Sequence, residues 1–296
     1  LADSAGFQIG DGVCLRATDS KTGVQTVLKR TLTARSGDRF KLDKPLRENL
    51  WQLNNATCST LFPILSGENI QDVRIENLAL DGNRDHNAEL DGNYAGCIFL
   101  QDCSRIQIRG VAAKNYQGDG ISWQICHDVV VENCVCENNK NLGLHPGSGS
   151  QRPVIRNNQL RGNDIGIFFC WDVKYGLAEQ NVIEGDRLGI SIGHRDTDIL
   201  INGNTIRRSG LHAILFREER GPDFAGHRNR IEKNTFVDNG PAGGAVIHIT
   251  GGTESITIRD NEFRDTRPGD TRVAVRKEPQ TRDILVENSQ LHAVLP

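Results

Sequence analysis

The 296-residue chain contains no methionine, only three tryptophans and three tyrosines, and no Cys-x-x-Cys pair among its eight cysteines. No apolar run approaches the ~18 residues of a membrane-spanning helix, and no signal peptide is visible. With Leu1 in first place and no methionine to follow, the start reads as a processed or trimmed terminus. A formal charge of −3 offers no basic face, which excludes nucleic acid as an expected partner. Without Cys-x-x-Cys spacing a structural zinc site is not expected. Cys134 and Cys136 flank one valine, and in a strand such neighbours share a face without bridging, so the cysteines read as small buried apolar side chains. The helical period of 3.6 is also missing, which excludes leucine-rich and tetratricopeptide stacks.

What the chain does have is a repeated phrase: aliphatic, two polar, Asn, polar, aliphatic. It appears as IRNNQL (155–160), AEQNVI (178–183, with Ala leading), INGNTI (201–206), IEKNTF (231–236) and IRDNEF (258–263). The asparagines are Asn158, Asn181, Asn204, Asn234 and Asn261, spaced 23, 23, 30 and 27 residues apart. Leu78, Val111 and Cys134 hold the same column in earlier copies, and a second polar column follows at Asn139, Asn163, Asp186, Ser209, Asn239 and Thr266. A Gly-apolar strand then opens most turns, as in GISWQ, GIFFC and GISIG. Short strands at this period predict an all-β fold, a right-handed parallel β-helix whose coils stack at the ordinary interstrand distance. Its inward asparagines serve as corner ladders rather than catalysts.

The expected organisation is an N-terminal β cap or hairpin segment over 1–66, with SGD as a turn, and the solenoid over 67–296. Residues 81–96 read as a polar loop inserted between coils; Asp85, His86 and Asp91 belong to it, and Asp119 reads as a turn residue between glycines. Over roughly residues 67–290 the periodic pattern resembles the pectate-lyase-like superfamily of right-handed β-helices. GLHPGSGSQRP and GISIGHRDTD also resemble bacterial β-helix-repeat proteins.

Alternation across the Gly-apolar strand places Ile190 and Ile192 inward and sends one column outward: Ser122, His145, Phe168, Ser191, Leu215 and His248. Gln124, Gly147, Cys170, Gly193, Arg217 and Thr250 form the next. Where the strand enters its turn, Asp172, Arg195 and Glu219 align, beside Trp171, His194 and Glu218. Ionisable groups and an aromatic thus collect on three adjacent coils. The 30-residue spacing adds its extra residues at 218–229, directly after the candidate strand, where an insertion builds a binding wall.

Glycoside hydrolysis uses a protonated and an ionised carboxyl about 6.5–9.5 Å apart in inverting enzymes. Asp172 and Glu219, two coils or about 9–10 Å apart by stacking, are the expected pair, with Asp196 and Glu218 as alternative members. His194 orients an acid or holds a hydroxyl, and Trp171 stacks on a ring. The segment also resembles polygalacturonase-like hydrolases, which carry an aspartate pair on one coil and Gly-His-Gly about one coil later. Here Asp172 precedes His194 by 22 residues, but Trp171 replaces the first aspartate, Arg195 replaces the second glycine, and GSGSQRP stands where Asn-Thr-Asp would lie.

Two other functions fit the same residues. A lyase acting on a uronate polymer would use Arg195 or Arg217 as base or clamp, with His145, His194 and His248 nearby. It would take Ca²⁺ on Asp172, Asp196 and Glu219, whereas hydrolysis requires no cofactor. A non-catalytic carbohydrate-binding or adhesion rod would spread its aromatics over many coils. His227 and Arg228 in the insertion are expected to close over substrate. The expected partner is a polysaccharide or oligosaccharide, and the fold's usual substrates imply an extracellular or periplasmic location.

Overall fold

The computed structural model describes residues 1–46, 49–51, 54–60, 63–87, 89, 93–219, 221, 223–267, 272–289 and 291–293. Contacts divide them into two compact units, Leu1–Phe62 and Pro63–Pro296. In the first, strands Gly12–Thr18, Gln25–Ser36, Arg39–Leu42 and Thr57–Thr60 form an antiparallel sheet with the long strand between the first and third. Ser36 pairs with Arg39, so Gly37 and Asp38 make the expected hairpin turn, with Gly37 at φ 58°.

The second unit is a parallel β-solenoid whose described strands form three nine-stranded sheets. Sheet A runs from Leu65–Glu68 through Ile121–Gln124, Leu142–Gly147, Ile165–Phe168, Leu188–Ile192 and His212–Phe216 to Val273–Lys277. Sheet B runs from Arg74–Glu76 to Arg282–Glu287, and sheet C from Ala79–Asp81 to Leu291–Ala293. Every coil visits A, B and C in turn, and residues one repeat apart become lateral neighbours.

The register follows the expected columns. Ile121, Leu144, Ile167, Ile190, Ile214 and Ile247 pair successively and are fully buried. Each such aliphatic side chain contributes ~1.5–3 kcal/mol of burial. Ile155, Ala178, Ile201 and Ile231 line the interior from sheet B, and Leu160, Ile183, Ile206 and Phe236 from sheet C. The strands are short because each B-to-C corner holds a left-handed residue, Asn157, Gln180, Gly203 or Lys233, a conformation costly to extend.

The next residue at each corner is the ladder asparagine. Asn158, Asn181, Asn204 and Asn234 each give both the backbone N–H and Nδ2 to the Oδ1 of the next asparagine, at 2.9–3.0 Å. Each Nδ2 also donates to a strand carbonyl of the preceding coil, so buried donors and acceptors are matched. The second polar column forms a shorter ladder from Asn139 through Asn163 to Asp186. It resumes between Ser209 and Asn239. Thr266 does not continue it: it is exposed and bonds to Asp238 instead.

All eight cysteines are free. Six are buried as expected, while Cys58 and Cys170 are half-buried. No described helix is long and apolar enough to cross a membrane.

Candidate functional site

Sheet A presents its outward columns as the alternation requires. Ser122 pairs with His145, Phe168 with Ser191, Ser191 with Leu215, and Leu215 with His248. Gly147 bridges to Cys170 in the next column. Directly beyond this edge, Trp171 and His194 on adjacent coils meet edge to face at 5.5 Å.

The insertion supplies a third ring. Phe224 lies 5.3 Å from Trp171 and 5.7 Å from His194, and the Arg195 guanidinium sits 4.6 Å above it. The insertion is tied down as it returns: Ala225 O accepts the Arg195 N–H, and Asn229 Nδ2 donates to Asp196 O. Trp171 keeps 42% of its surface exposed, whereas His194 is buried beneath it with Nδ1 3.7 Å from Cys170 Sγ.

The carboxylates divide differently from the expectation. Asp172 stands beside Trp171, its N–H on His194 O and its half-exposed carboxylate 2.9 Å from Lys174 Nζ. Asp196 is fully buried. Its oxygens accept the N–H groups of Val173 and Gly193 and lie 3.2 Å from Arg217. Burial pushes its carboxyl up to about 7, against the pull of Arg217 and the two N–H groups. Glu219 turns towards the following coil, both oxygens 2.8 Å from Gly252 N. Glu218 is exposed.

Arg217 lies flat on the sheet. It donates to Ser191 Oγ and Phe169 O at 2.7 Å and covers the Phe168 ring at 4.3 Å. Gly193 permits this, since a Cβ there would crowd the Arg217 Cβ at 3.0 Å. Asp196 and Arg217 therefore brace the floor.

The remaining expected residues fall outside the cluster. His248 pairs with Glu278 at 2.7 Å and meets His212 edge to face. His227 accepts the Glu254 N–H, and Arg228 forms a bidentate pair with Asp198; both lie at the A-to-B corner. Asp85 and His86 line a shallow polar depression with Arg84, Asn115 and Asn138, and Asp91 lies outside the described residues.

His145 is one coil before the cluster, edge to face with Phe168 at 5.3 Å. Its partner is Asp119, at 2.7 Å, which is thus a buried hydrogen-bond partner as well as a turn residue. Sequence reasoning did not reach Asp119 in this role, nor Phe224. The signal for Phe224 was the 30-residue spacing; that for Asp119 was its place one coil before His145.

A calcium ion on Asp172, Asp196 and Glu219 does not fit this arrangement. Asp196 already faces a guanidinium and two N–H groups, Glu219 holds Gly252, and the described residues contain no cluster of three or more His, Cys, Asp or Glu suited to a metal.

By overall shape the solenoid resembles several solved structures. A DFA-IIIase from Arthrobacter chlorophenolicus A6 is 10% identical, with a TM-score of 0.58 over 74% of this chain and 54% of that one. An endo-xylogalacturonan hydrolase from Aspergillus tubingensis is 17% identical, with 0.60 over 77% and 72%. A periplasmic alginate epimerase is 13% identical, with 0.54 over 77% and 62%. The chain spans about half the length of the first, and at these identities the likeness is one of fold. No curated protein matches it by sequence. The family described as the right handed beta helix region matches residues 96–263, more than half of the sequence, and the chain belongs to that family.

Proposed function

We propose that the chain is a carbohydrate-active enzyme that cleaves glycosidic bonds of a polysaccharide or oligosaccharide at the outer edge of sheet A. The observation that carries this reading is the convergence of Trp171, His194, Phe224 and Arg195 from two coils and the insertion. A half-exposed indole offers a stacking face for a sugar ring, Arg195 offers planar donors for hydroxyl or carboxylate oxygens, and Asp172 stands beside both. In this reading Asp172 and Glu218 supply the acid–base chemistry, because Asp196 and Glu219 are committed to the scaffold.

The same commitment favours a second reading, β-elimination from a uronate polymer. With two carboxylates engaged, Arg195 is prominent beside the aromatic cluster, and a cation offsets charge developing on the sugar carboxylate. A hydrolase and an epimerase of such polymers are among the similarly folded solved structures, and the periplasmic origin of the epimerase supports an extracellular or periplasmic location.

A screen of uronate-containing and neutral polysaccharides tests both readings. New reducing ends without ultraviolet absorbance from an unsaturated product indicate hydrolysis; the absorbance indicates elimination. EDTA is expected to leave the rate unchanged. Trp171→Ala is expected to weaken substrate binding by up to about tenfold, from the ~0.5–1.5 kcal/mol of a lost aromatic contact. If the wild type neither cleaves nor modifies any of these polymers but retains one, the adhesion rod replaces the enzyme.

A further inference from the structure

The outer face of sheet A carries a second polar group that the reading above does not use. His145 Nδ1 lies 2.7 Å from Asp119 Oδ2 and 3.4 Å from Ser122 Oγ, and the other Asp119 oxygen accepts the Leu142 N–H. Asp119 and Ser122 are fully buried and His145 is 3% exposed. Because Ser122 and Asp119 share one ring nitrogen, the trio is not a nucleophilic relay, which needs opposite nitrogens. A carboxylate facing Nδ1 instead holds the proton on that nitrogen and leaves Nε2 as an acceptor.

His145 Nε2 is buried without a hydrogen-bond partner, and so is Gln124 Oε1. The Gln124 amide nitrogen donates to Ser122 Oγ at 3.2 Å, and its amide lies over Gly147, where a Cβ would collide with it. Ser122 Oγ therefore touches both side chains, and Gly147, over which the Gln124 amide lies, stands two residues after His145 on the same strand. Leaving either unsatisfied costs ~1–3 kcal/mol. Both call for the same chemistry, a hydrogen-bond donor, which an O–H group supplies.

We propose that Asp119, His145 and Gln124 form a hydroxyl-binding site in which one O–H group donates to His145 Nε2 beside Gln124 Oε1, a water there giving its second proton to Gln124 Oε1, and that His145 accepts the proton it faces during turnover. The O–H bond breaks, the Nε2–H bond forms, and the oxygen keeps the electron pair. The imidazolium is balanced by the Asp119 carboxylate, which acts as a positioning residue. Phe168, edge to face with His145 and covered by Arg217, joins this site to the cluster. Water and a sugar hydroxyl share the required chemistry. The role in turnover rests on the polysaccharide reading; the hydroxyl site does not.

The test uses the full chain labelled with ¹⁵N-histidine. Long-range ¹H–¹⁵N spectra at neutral pH are expected to show His145 protonated at Nδ1 only, and Asp119→Asn to move the proton to Nε2. A proton on Nε2 in the wild type overturns the proposal. A high-resolution crystal structure should place an oxygen at hydrogen-bond distance from both Nε2 and Gln124 Oε1; a site without one also overturns it. Soaking with a polysaccharide fragment that the screen finds active separates the sources, since the oxygen either stays as water or becomes part of the sugar.

On that substrate His145→Gln and Asp119→Asn should lower kcat by about tenfold or more with little change in KM, and change the pH profile. Unchanged turnover and pH profile in both would overturn the proton-accepting role while leaving the polysaccharide reading intact. If no polymer is turned over, that reading fails, and the spectra and crystal structure decide the hydroxyl site alone.

Discussion

Asp186 and Asp196 carry carboxyl groups inside the solenoid, and burial pushes each up to about 7. Asp186 occupies a ladder position: its Oδ1 accepts the N–H and Nδ2 of Asn163, while Oδ2 is buried without a partner. The asparagines at equivalent positions, Asn139, Asn163 and Asn239, each donate Nδ2 to a carbonyl of the preceding coil. A carboxylate cannot do so. With a folded pKa above the unfolded ~3.9, the folded state holds the extra proton. The Asp186 contribution is therefore intact below pH ~4 and lost as pH rises through about 7. Asp186→Asn should stabilise the protein by ~1–3 kcal/mol at pH 8 and much less at pH 4, read as the difference between the urea unfolding curves of the two proteins. An equal effect at both pH values would contradict the buried-carboxylate argument.

At the scale of the element, the asparagine ladder and the insertion were both visible in spacing but to different depths. The ladder is a local rule repeated, so one phrase announces every rung. Asn204→Ala removes the acceptor of two Asn181 donors and its own bond to Ala178 O. With buried donors stranded at ~1–3 kcal/mol each, it should cost about 2–5 kcal/mol in urea unfolding. The insertion was legible as an excess of length, but not in its contacts. Phe224 reaches Trp171 and His194 because the Ala225 and Asn229 bonds bring the chain back onto the coil, and nothing in the residue order dictates that path. Phe224→Ala is expected to weaken sugar binding about tenfold while costing ~1 kcal/mol of stability, since Phe224 is only half-buried. Isothermal titration with an active polysaccharide fragment checks the first figure and thermal unfolding the second.

For the whole molecule, a solenoid is nearly one-dimensional, each coil being stabilised by its neighbours. Ile258 is fully buried, whereas Val286, its register partner on the next coil, is 39% exposed; Leu285 and Val273 on that coil are exposed as well. Amide hydrogen exchange should therefore be slowest in the sheet A strands between Ile121 and Phe216 and fastest in Val273–Lys277 and Arg282–Glu287. Uniform protection would mean that the solenoid opens as a single unit. Stacking also explains how separate residues become one site, because Trp171 and His194, 23 positions apart, are lateral neighbours.

The sequence by itself determined the all-β solenoid, the inward aliphatic columns, the ladder and the outward face of sheet A, because a strand period of two and a coil period near 23 residues leave little freedom of register. Only the tertiary structure decided which charges remain at the surface. Asp196 is held by Val173, Gly193 and Arg217, Glu219 by Gly252, Arg228 by Asp198, and His145 by Asp119. Alternation ends where a strand enters its turn, and beyond that point a side chain's direction depends on the donors and acceptors that neighbouring coils bring to it.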